Sequence, residues 1–254
     1  STVVRFAMSL GYKGYPEFQN SLEELVRNKL NSVQRMDVTY GRISQSEILE
    51  TVLKSDADKL KTTLEKIDHS AFELAVDTIL GARNIYIVGI RSCSPLASFL
   101  SFYLNLMFDN VRLLHTNSAS EIFEQMVRIN EDDVIIGISF PRYSMRTLKA
   151  LEFANNRSAK VITITDSIHS PMNLYSSCNL IADSDMASIV DSLVAPLSVI
   201  NALIVALCMK KQKEVAKTLT TLEEIWDEYQ VYENDEIDVI DDSIKIHYAK
   251  LEGM

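Results

Sequence analysis

Two short turns carry most of the chemistry this sequence offers. One reads Gly89, Ile90, Arg91, Ser92, Cys93, Ser94, and the other reads Ser139, Phe140, Pro141, Arg142, Tyr143, Ser144. Each follows an apolar, β-branched run and precedes a helical pattern. A strand that feeds a helix leaves first-turn N–H groups unpaired and pointing outward, so such a turn commonly holds an anion. Turns of this kind normally use glycine and small hydroxyl residues, which let the ligand reach the backbone. Serines are present here, but so are two arginines and a proline. The hydroxyls of Ser92, Ser94, Ser139 and Ser144, with Ser170 in a third turn, can hydrogen-bond a ligand. Arg91 and Arg142 can supply charge in a planar fork. A plainer reading stands beside this one: each arginine caps a strand end or pairs with a partner subunit.

Other chemistries find less support. Aldose–ketose isomerisation needs a base near the substrate carbons, and His115, His169, Glu121 and Glu124 are the candidates. The glutamates fit the solvated face of a helix, and His169 fits a plain loop position. Cys93 has no histidine or aspartate at a telling spacing, so a nucleophilic role is weakly founded. Cys93, Cys178 and Cys208 lie far apart without metal-ligand spacing and read as reduced thiols of a cytoplasmic protein. No catalytic residue, metal or cofactor is assigned.

The elements that must hold the turns alternate along the chain. Strands are expected at Asn84–Ile90, Val111–Thr116, Val134–Ser139, Lys160–Asp166 and Asn179–Asp183. Helices are expected at Ser94–Phe108, with Ser94 as N-cap and Pro95 at the first helical position, at Glu121–Ile129, from Met145, and from about Ser188 to Met209. Such alternation predicts an α/β fold: a parallel five-stranded sheet with helices on both faces. Ligands then sit beyond the carboxyl ends of the strands, where Gly89–Ser94, His115–Ser120, Ser139–Ser144 and Asp166–Ser170 all fall.

Upstream lies an all-α region. Ser1 and Thr2 form an N-cap pair, Val3, Phe6, Ala7 and Leu10 follow at helical spacing, and Gly11 stops the helix. Pro16 fits the start of a second helix running to about Leu30. Arg5, Lys13, Arg27, Lys29 and Arg35 outnumber the acids here, although the 254-residue chain carries a net charge of −10. That acidity argues against nonspecific nucleic-acid binding by the whole chain but leaves room for a small basic module. A helical hairpin capping the main domain is the alternative. A helix that opens at residue 1 reads as the end of a longer motif. Residues 37–70 look like a helical connector. The most apolar segment, Ile189 to Met209, holds Asp191, Pro196 and Asn201, so it reads as a buried or interface helix and not as a membrane span. The acidic tail from Tyr232 reads as solvated, with alternation at Ile237, Val239, Ile244 and Ile246 leaving room for an added edge strand.

The stretches STVVRFAMSLGYKGYPEF, IYIVGIRSCSPLA, DDVIIGISFPRYSMRTLKALEFA, KVITITDSIHSPM and SIVDSLVAPLSVINALIVAL together resemble the RpiR-type bacterial transcription regulators. The resemblance implies an N-terminal helix-turn-helix, a flavodoxin-like sugar isomerase (SIS) domain, dimers or tetramers, and DNA binding controlled by a phosphosugar or related metabolite. It implies domains at 1–36 (the C-terminal part of a truncated helix-turn-helix), 37–70 (connector), 71–217 (SIS domain) and 218–254 (C-terminal helix and acidic tail). Operator DNA is an expected partner only with further N-terminal helices, with Thr2 and Arg5 near phosphates or base edges. The family turn after the third strand reads Ser, any, Ser, Gly, any, Thr. Here Ser139 matches the first Ser, Pro141 replaces the second, Arg142 replaces Gly, and Ser144 stands for Thr. In the first turn, Arg91 replaces a Gly and Cys93 a Ser. The expected effector is an anionic sugar or sugar phosphate held by Arg91, Ser92, Ser94, Ser139, Arg142, Ser144 and Ser170. The apolar helix predicts a homodimer.

Overall fold

The structure is a computed structural model that describes residues 2–19, 21–22, 30–39, 45–115, 120–184 and 190–232. Five strands form one parallel sheet: β1 (Ile85–Gly89), β2 (Val111–Leu113), β3 (Val134–Ile138), β4 (Lys160–Thr165) and β5 (Cys178–Ile181). Their order is β2-β1-β3-β4-β5. β1 and β3 are buried at every position, as expected of central parallel strands covered on both faces. The order reverses between β1 and β3, whose register pairs Gly89 with Ile138. The two arginine-bearing turns therefore leave adjacent strands at the topological switch point, where open α/β sheets bind ligands.

Helices Ser94–Asn105 and Met145–Asn155 follow β1 and β3. The helix Ile48–Lys66 and the helix His69–Leu80 lead into β1, and Val194–Lys210 follows β5. His69–Leu80 is capped by Asp68, whose Oδ1 accepts from the N–H groups of Ser70 and Ala71 at 2.8 and 3.1 Å. On one side of the sheet the core packs Tyr86, Val88, Ile135 and Val161 against Leu151 and Met172.

Four sequence expectations change in detail. β2 is three residues long, well short of Val111–Thr116, and residues 116–119 lie outside the described ones. The helix after it spans Glu121–Gln125 and ends in turns before Ile129. Ser94 is the first residue of its helix, not its cap. A 3₁₀ turn at Arg91–Cys93 feeds that helix through backbone bonding, with the Ser94 N–H donating to the Arg91 carbonyl. The long apolar helix starts at Val194; Ser188 itself lies outside the described residues. Residues 190–193 are held out of the helix because Ser192 donates to Asp56 Oδ1 (2.6 Å) while its carbonyl accepts from Ser184 (2.9 Å).

At the N-terminus, helix Thr2–Ser9 ends before Gly11, whose φ of +91° is the left-handed stop that only glycine adopts freely. Residues 15–19 and 21–22 are helical, and a further helix spans Ser32–Thr39. Phe18 is the hub of this region, in ring contact with Phe6 and Tyr12 at 5.8 and 5.4 Å between centroids. The chain divides into two compact units, 1–207 and 208–254. The second contains helix Gln212–Glu228, which runs across the expected boundary at residue 217, and a Trp226–Tyr232 ring contact at 5.4 Å. The acidic tail from residue 233, with its possible edge strand, lies outside the described residues. Among the described residues no single helix is long and apolar enough to cross a membrane.

Candidate functional site

The turn after β1 is built around a close approach. A Cβ on Gly89 would lie 2.7 Å from the Cys93 carbonyl oxygen and 2.9 Å from the Ala97 methyl, so glycine lets the strand end meet the following helix. Two residues later Arg91 takes φ +60°, a left-handed conformation that costs a side chain about 1–2 kcal/mol relative to glycine. The glycine conformation is kept there while the glycine is not. The Arg91 side chain is exposed and has no hydrogen bond or ion pair among the described residues. Ser92 and Ser94 are exposed beside it.

Cys93 is buried and ties the two turns together. Burial pushes its thiol up to about 11, against the opposing effect of the Phe140 backbone N–H and the Ser92 hydroxyl, which both donate to the sulfur. At neutral pH it is a protonated, enclosed thiol, a poor nucleophile. Through Phe140 it fixes the start of the β3 turn over the end of β1.

The β3 turn closes on itself. Ser139 is buried, and its Oγ accepts from the Ser144 N–H at 3.1 Å. Ser144 is the N-cap of helix Met145–Asn155, accepting from the Thr147 N–H at 3.5 Å. Pro141 is buried and has no N–H to offer. Arg142 is exposed and engaged in interactions of its own. The Tyr143 hydroxyl donates to Asp166 Oδ1 at 2.9 Å, which joins the β3 turn to the β4 turn. There, Thr165 Oγ1 lies 3.1 Å from Asp166 Oδ1 and 2.9 Å from Ser170 Oγ. Ser170 is buried and caps the 3₁₀ turn Pro171–Leu174, so it sits beneath the rim.

The seven expected effector residues thus share the carboxyl ends of three adjacent strands, with different freedom. Arg91, Ser94 and Arg142 are exposed, Ser144 is half-buried, and Ser139 and Ser170 are buried within hydrogen bonds. Ser92 is exposed but its hydroxyl serves Cys93. Sequence reasoning missed Cys93, Tyr143 and Asp166 as the links between turns. The one available signal was their position next to the serines. His115 and His169 are exposed; His115 is held through its backbone, which Gln125 brackets at 3.1 and 2.7 Å. Among the described residues no three His, Cys, Asp or Glu side chains gather as metal ligands.

The same end of the sheet is fastened to the helix upstream of it. Beyond β5, the Asp183 N–H donates to Thr63 Oγ1 at 2.9 Å, and Ser192 donates to Asp56. Both acceptors are on helix Ile48–Lys66. In the N-terminal region Thr2 and Arg5 are exposed, three residues apart on helix Thr2–Ser9.

The model of the SIS domain family matches residues 78–206. An uncharacterized HTH-type transcriptional regulator of Clostridium perfringens is 27% identical over 71% of this chain and 64% of its own length, so the chain spans less than two thirds of that relative. Among solved structures, the sugar isomerase domain of an RpiR transcription factor from Sphaerobacter thermophilus covers 70% of this chain and 99% of itself, with 24% identity and a TM-score of 0.67. The Vibrio vulnificus NanR protein, complexed with ManNAc-6P, covers 90% of this chain and 81% of itself, with 19% identity and a TM-score of 0.63. The two structures share this fold.

Proposed function

The chain belongs to the SIS domain family, and from that premise we propose a transcription regulator. Its SIS domain senses a phosphosugar or related anionic carbohydrate metabolite, and its N-terminal helices contribute to a helix-turn-helix on operator DNA. The observation that carries this is the gathering of Arg91, Ser94, Arg142 and Ser144 at the β1/β3 switch point. Relatives named as HTH-type regulators, and a structural neighbour holding a sugar phosphate, support it. Residues 1–36 serve DNA, 37–70 connect, 71–217 sense, and 218–254 form the C-terminal helix and tail. Thr2 and Arg5, on one turn of an exposed helix, meet phosphates or base edges. The bonds from the β5 turn to Asp56 and Thr63 give the sensing end a direct hold on the connector.

The regulator acts in the cytoplasm as a homodimer. Helix Val194–Lys210 buries Ile200, Leu203 and Leu207 in its own subunit and exposes Val205 and Met209, which a second copy would cover. Sedimentation at micromolar concentration should give a dimer. The site is a sensor without turnover: the exposed His115 and His169 are poor candidates for a positioned base.

Selection of duplexes from a random pool, followed by titration with anionic sugars, tests the reading. A preferred sequence whose affinity changes at least tenfold with one sugar is the expected result. Sequence-blind, strongly salt-dependent binding that no sugar alters would refute it, as would measurable aldose–ketose interconversion.

A further inference from the structure

We propose that the connector helix Ile48–Lys66 pairs, antiparallel, with the same helix of a second copy along a stripe of four leucines. The inference goes beyond the regulator reading and rests neither on an effector nor on DNA. The warrant is that this helix is turned opposite to what its composition favours. Its buried side is polar. Lys59 and Thr63 are buried, Thr63 Oγ1 accepts from the Asp183 N–H at 2.9 Å, and half-buried Asp56 accepts from Ser192 at 2.6 Å. Lys59 is held within its own helix, where Nζ donates to Ser55 Oγ at 2.5 Å. The leucines face outward instead: Leu49 and Leu64 are 73% exposed, Leu53 58% and Leu60 37%. A surface helix normally buries its apolar stripe and shows its polar face to water. A leucine stripe left outside therefore marks a surface that a partner covers.

The partner is a second copy because the stripe is symmetric. With 3.6 residues per turn, the four leucines fall within about 60° of one another around the helix. Their separations are four, seven and four residues, which read the same in both directions. A two-fold interface needs this property, since one patch must complement itself. Turned end for end about a dyad beside Ala57, the helix sets Leu49 against Leu64 of the partner subunit and Leu53 against Leu60 of the partner subunit. The dyad makes each contact twice. The charges agree: on one flank of the stripe, Glu50 comes within a turn of Lys61 of the partner subunit. Lys54, which Glu50 holds at 2.5 Å, and Glu65 lie further round the helix. The stripe alone falls short of the roughly 1,200–2,000 Å² of a standard interface. It continues into further apolar surface at exposed Val190 and Val194, which flank the Ser192 bonded to Asp56. From there the chain enters helix Val194–Lys210, where the homodimer proposed above has its contact.

Cysteine cross-linking and sedimentation of the full chain at micromolar concentration test this. Ala57 is exposed beside the dyad and faces its own copy, so Ala57→Cys should form an intersubunit disulfide on mild oxidation. Leu49→Cys alone should not, because its two copies lie about 22 Å apart along the helices. Wild type, whose Cys93 and Cys178 are buried, gives the background. Leu53→Glu and Leu60→Lys should each weaken the dimer at least tenfold. Combined in one chain, they set opposite charges against each other and should restore it in part. A disulfide through Leu49→Cys, none through Ala57→Cys, or no recovery in the double variant overturns the antiparallel pairing. A dimer unchanged by both single charges overturns the connector contact and leaves the one at Val194–Lys210 standing. A monomeric wild type overturns both. A lower Tm with unchanged sedimentation puts the stripe under other parts of its own chain, which also overturns the inference.

Discussion

At the amino end of the sheet, Arg83 closes on Asp133 with Nε at 3.0 Å and Nη2 at 2.8 Å. The same carboxylate accepts from the Asn84 amide at 2.8 Å and the Asn130 N–H at 2.9 Å. At the carboxyl end, Arg91 carries the same fork in a left-handed turn with no carboxylate supplied among the described residues. The contrast separates two uses of one side chain. Arg83 answers a buried anion that belongs to the fold, so its partner is part of the structure. Arg91 stands among hydroxyls at the switch point, and on the proposed sensor reading the anion that completes it comes from outside. A guanidinium tied by two bonds to a buried carboxylate is a structural element whatever the protein does.

The largest effect that can test this contrast is Asp133→Ala. It removes a carboxylate with four donors and strands them at the base of β1 and β3. The expected loss is about 3 kcal/mol, or a fall in Tm of about 10 °C for a chain of this size, with sugar affinity unchanged. The pH dependence follows. Burial alone would raise the Asp133 carboxyl, but Arg83, Asn84 and the Asn130 N–H outweigh it and hold it below its ordinary value. A lowered native pKa gives stability that is present above the unfolded value and lost as pH falls through the native one. Wild type should therefore lose stability below about pH 4, with the slope reduced in Asp133→Ala. Equal acid profiles would place the buried anion's stabilising role elsewhere.

Next in size is Gly89→Ala. The new methyl meets the Cys93 carbonyl, which is backbone and cannot swing aside, so the β1 turn must shift. A loss of about 2 kcal/mol is expected, together with weaker sugar binding, because the shift carries Arg91 and Ser94 with it. This variant couples stability to the site, whereas Asp133→Ala does not. Thermal melts and titrations of the two variants side by side measure the difference.

How much of this was legible beforehand varies by the range of the interaction. Strand–helix alternation was legible because Ile85–Val88 and Val134–Ile138 are unbroken apolar runs, and Pro95 and Pro171 mark helical first turns. The turns that hold the candidate site follow from that alternation alone. The Arg83–Asp133 clamp was not legible: its partners are fifty positions apart, and only the β1–β3 register brings them together. The Cys93–Phe140 link has the same origin, so Cys93 reads as a doubtful nucleophile in sequence and as a structural tie in space. The start of the long helix at Val194 was obscured because the bonds that hold Ser192 out of it reach back to Asp56. Local pattern points to the candidate site; non-local bonds decide which of its serines remain available.

A smaller effect, of opposite sign, is expected at Thr147. Its hydroxyl is fully buried and has no partner among the described residues. An unpaired buried hydroxyl costs about 1–3 kcal/mol, so Thr147→Val should raise stability by about 1 kcal/mol, read as a Tm increase of about 3 °C. If Tm rises while sugar affinity falls, Thr147 belongs to the site and not only to the helix that supports it.

The smallest effect isolates the backbone under Arg91. At φ +60° any side chain bears the left-handed penalty, so Arg91→Ala should leave stability close to wild type. Arg91→Gly relieves that penalty and loses part of the gain to the greater freedom of glycine in the unfolded chain. The net is a stabilisation of about 0.5 kcal/mol, small enough to need denaturant titration with a shared m-value. The difference between the Ala and Gly variants measures the strain, and their common loss of sugar affinity measures the fork. A substantial fall in stability with either variant would put Arg91 in the same class as the Arg83 clamp, and the contrast between the two ends of the sheet would collapse.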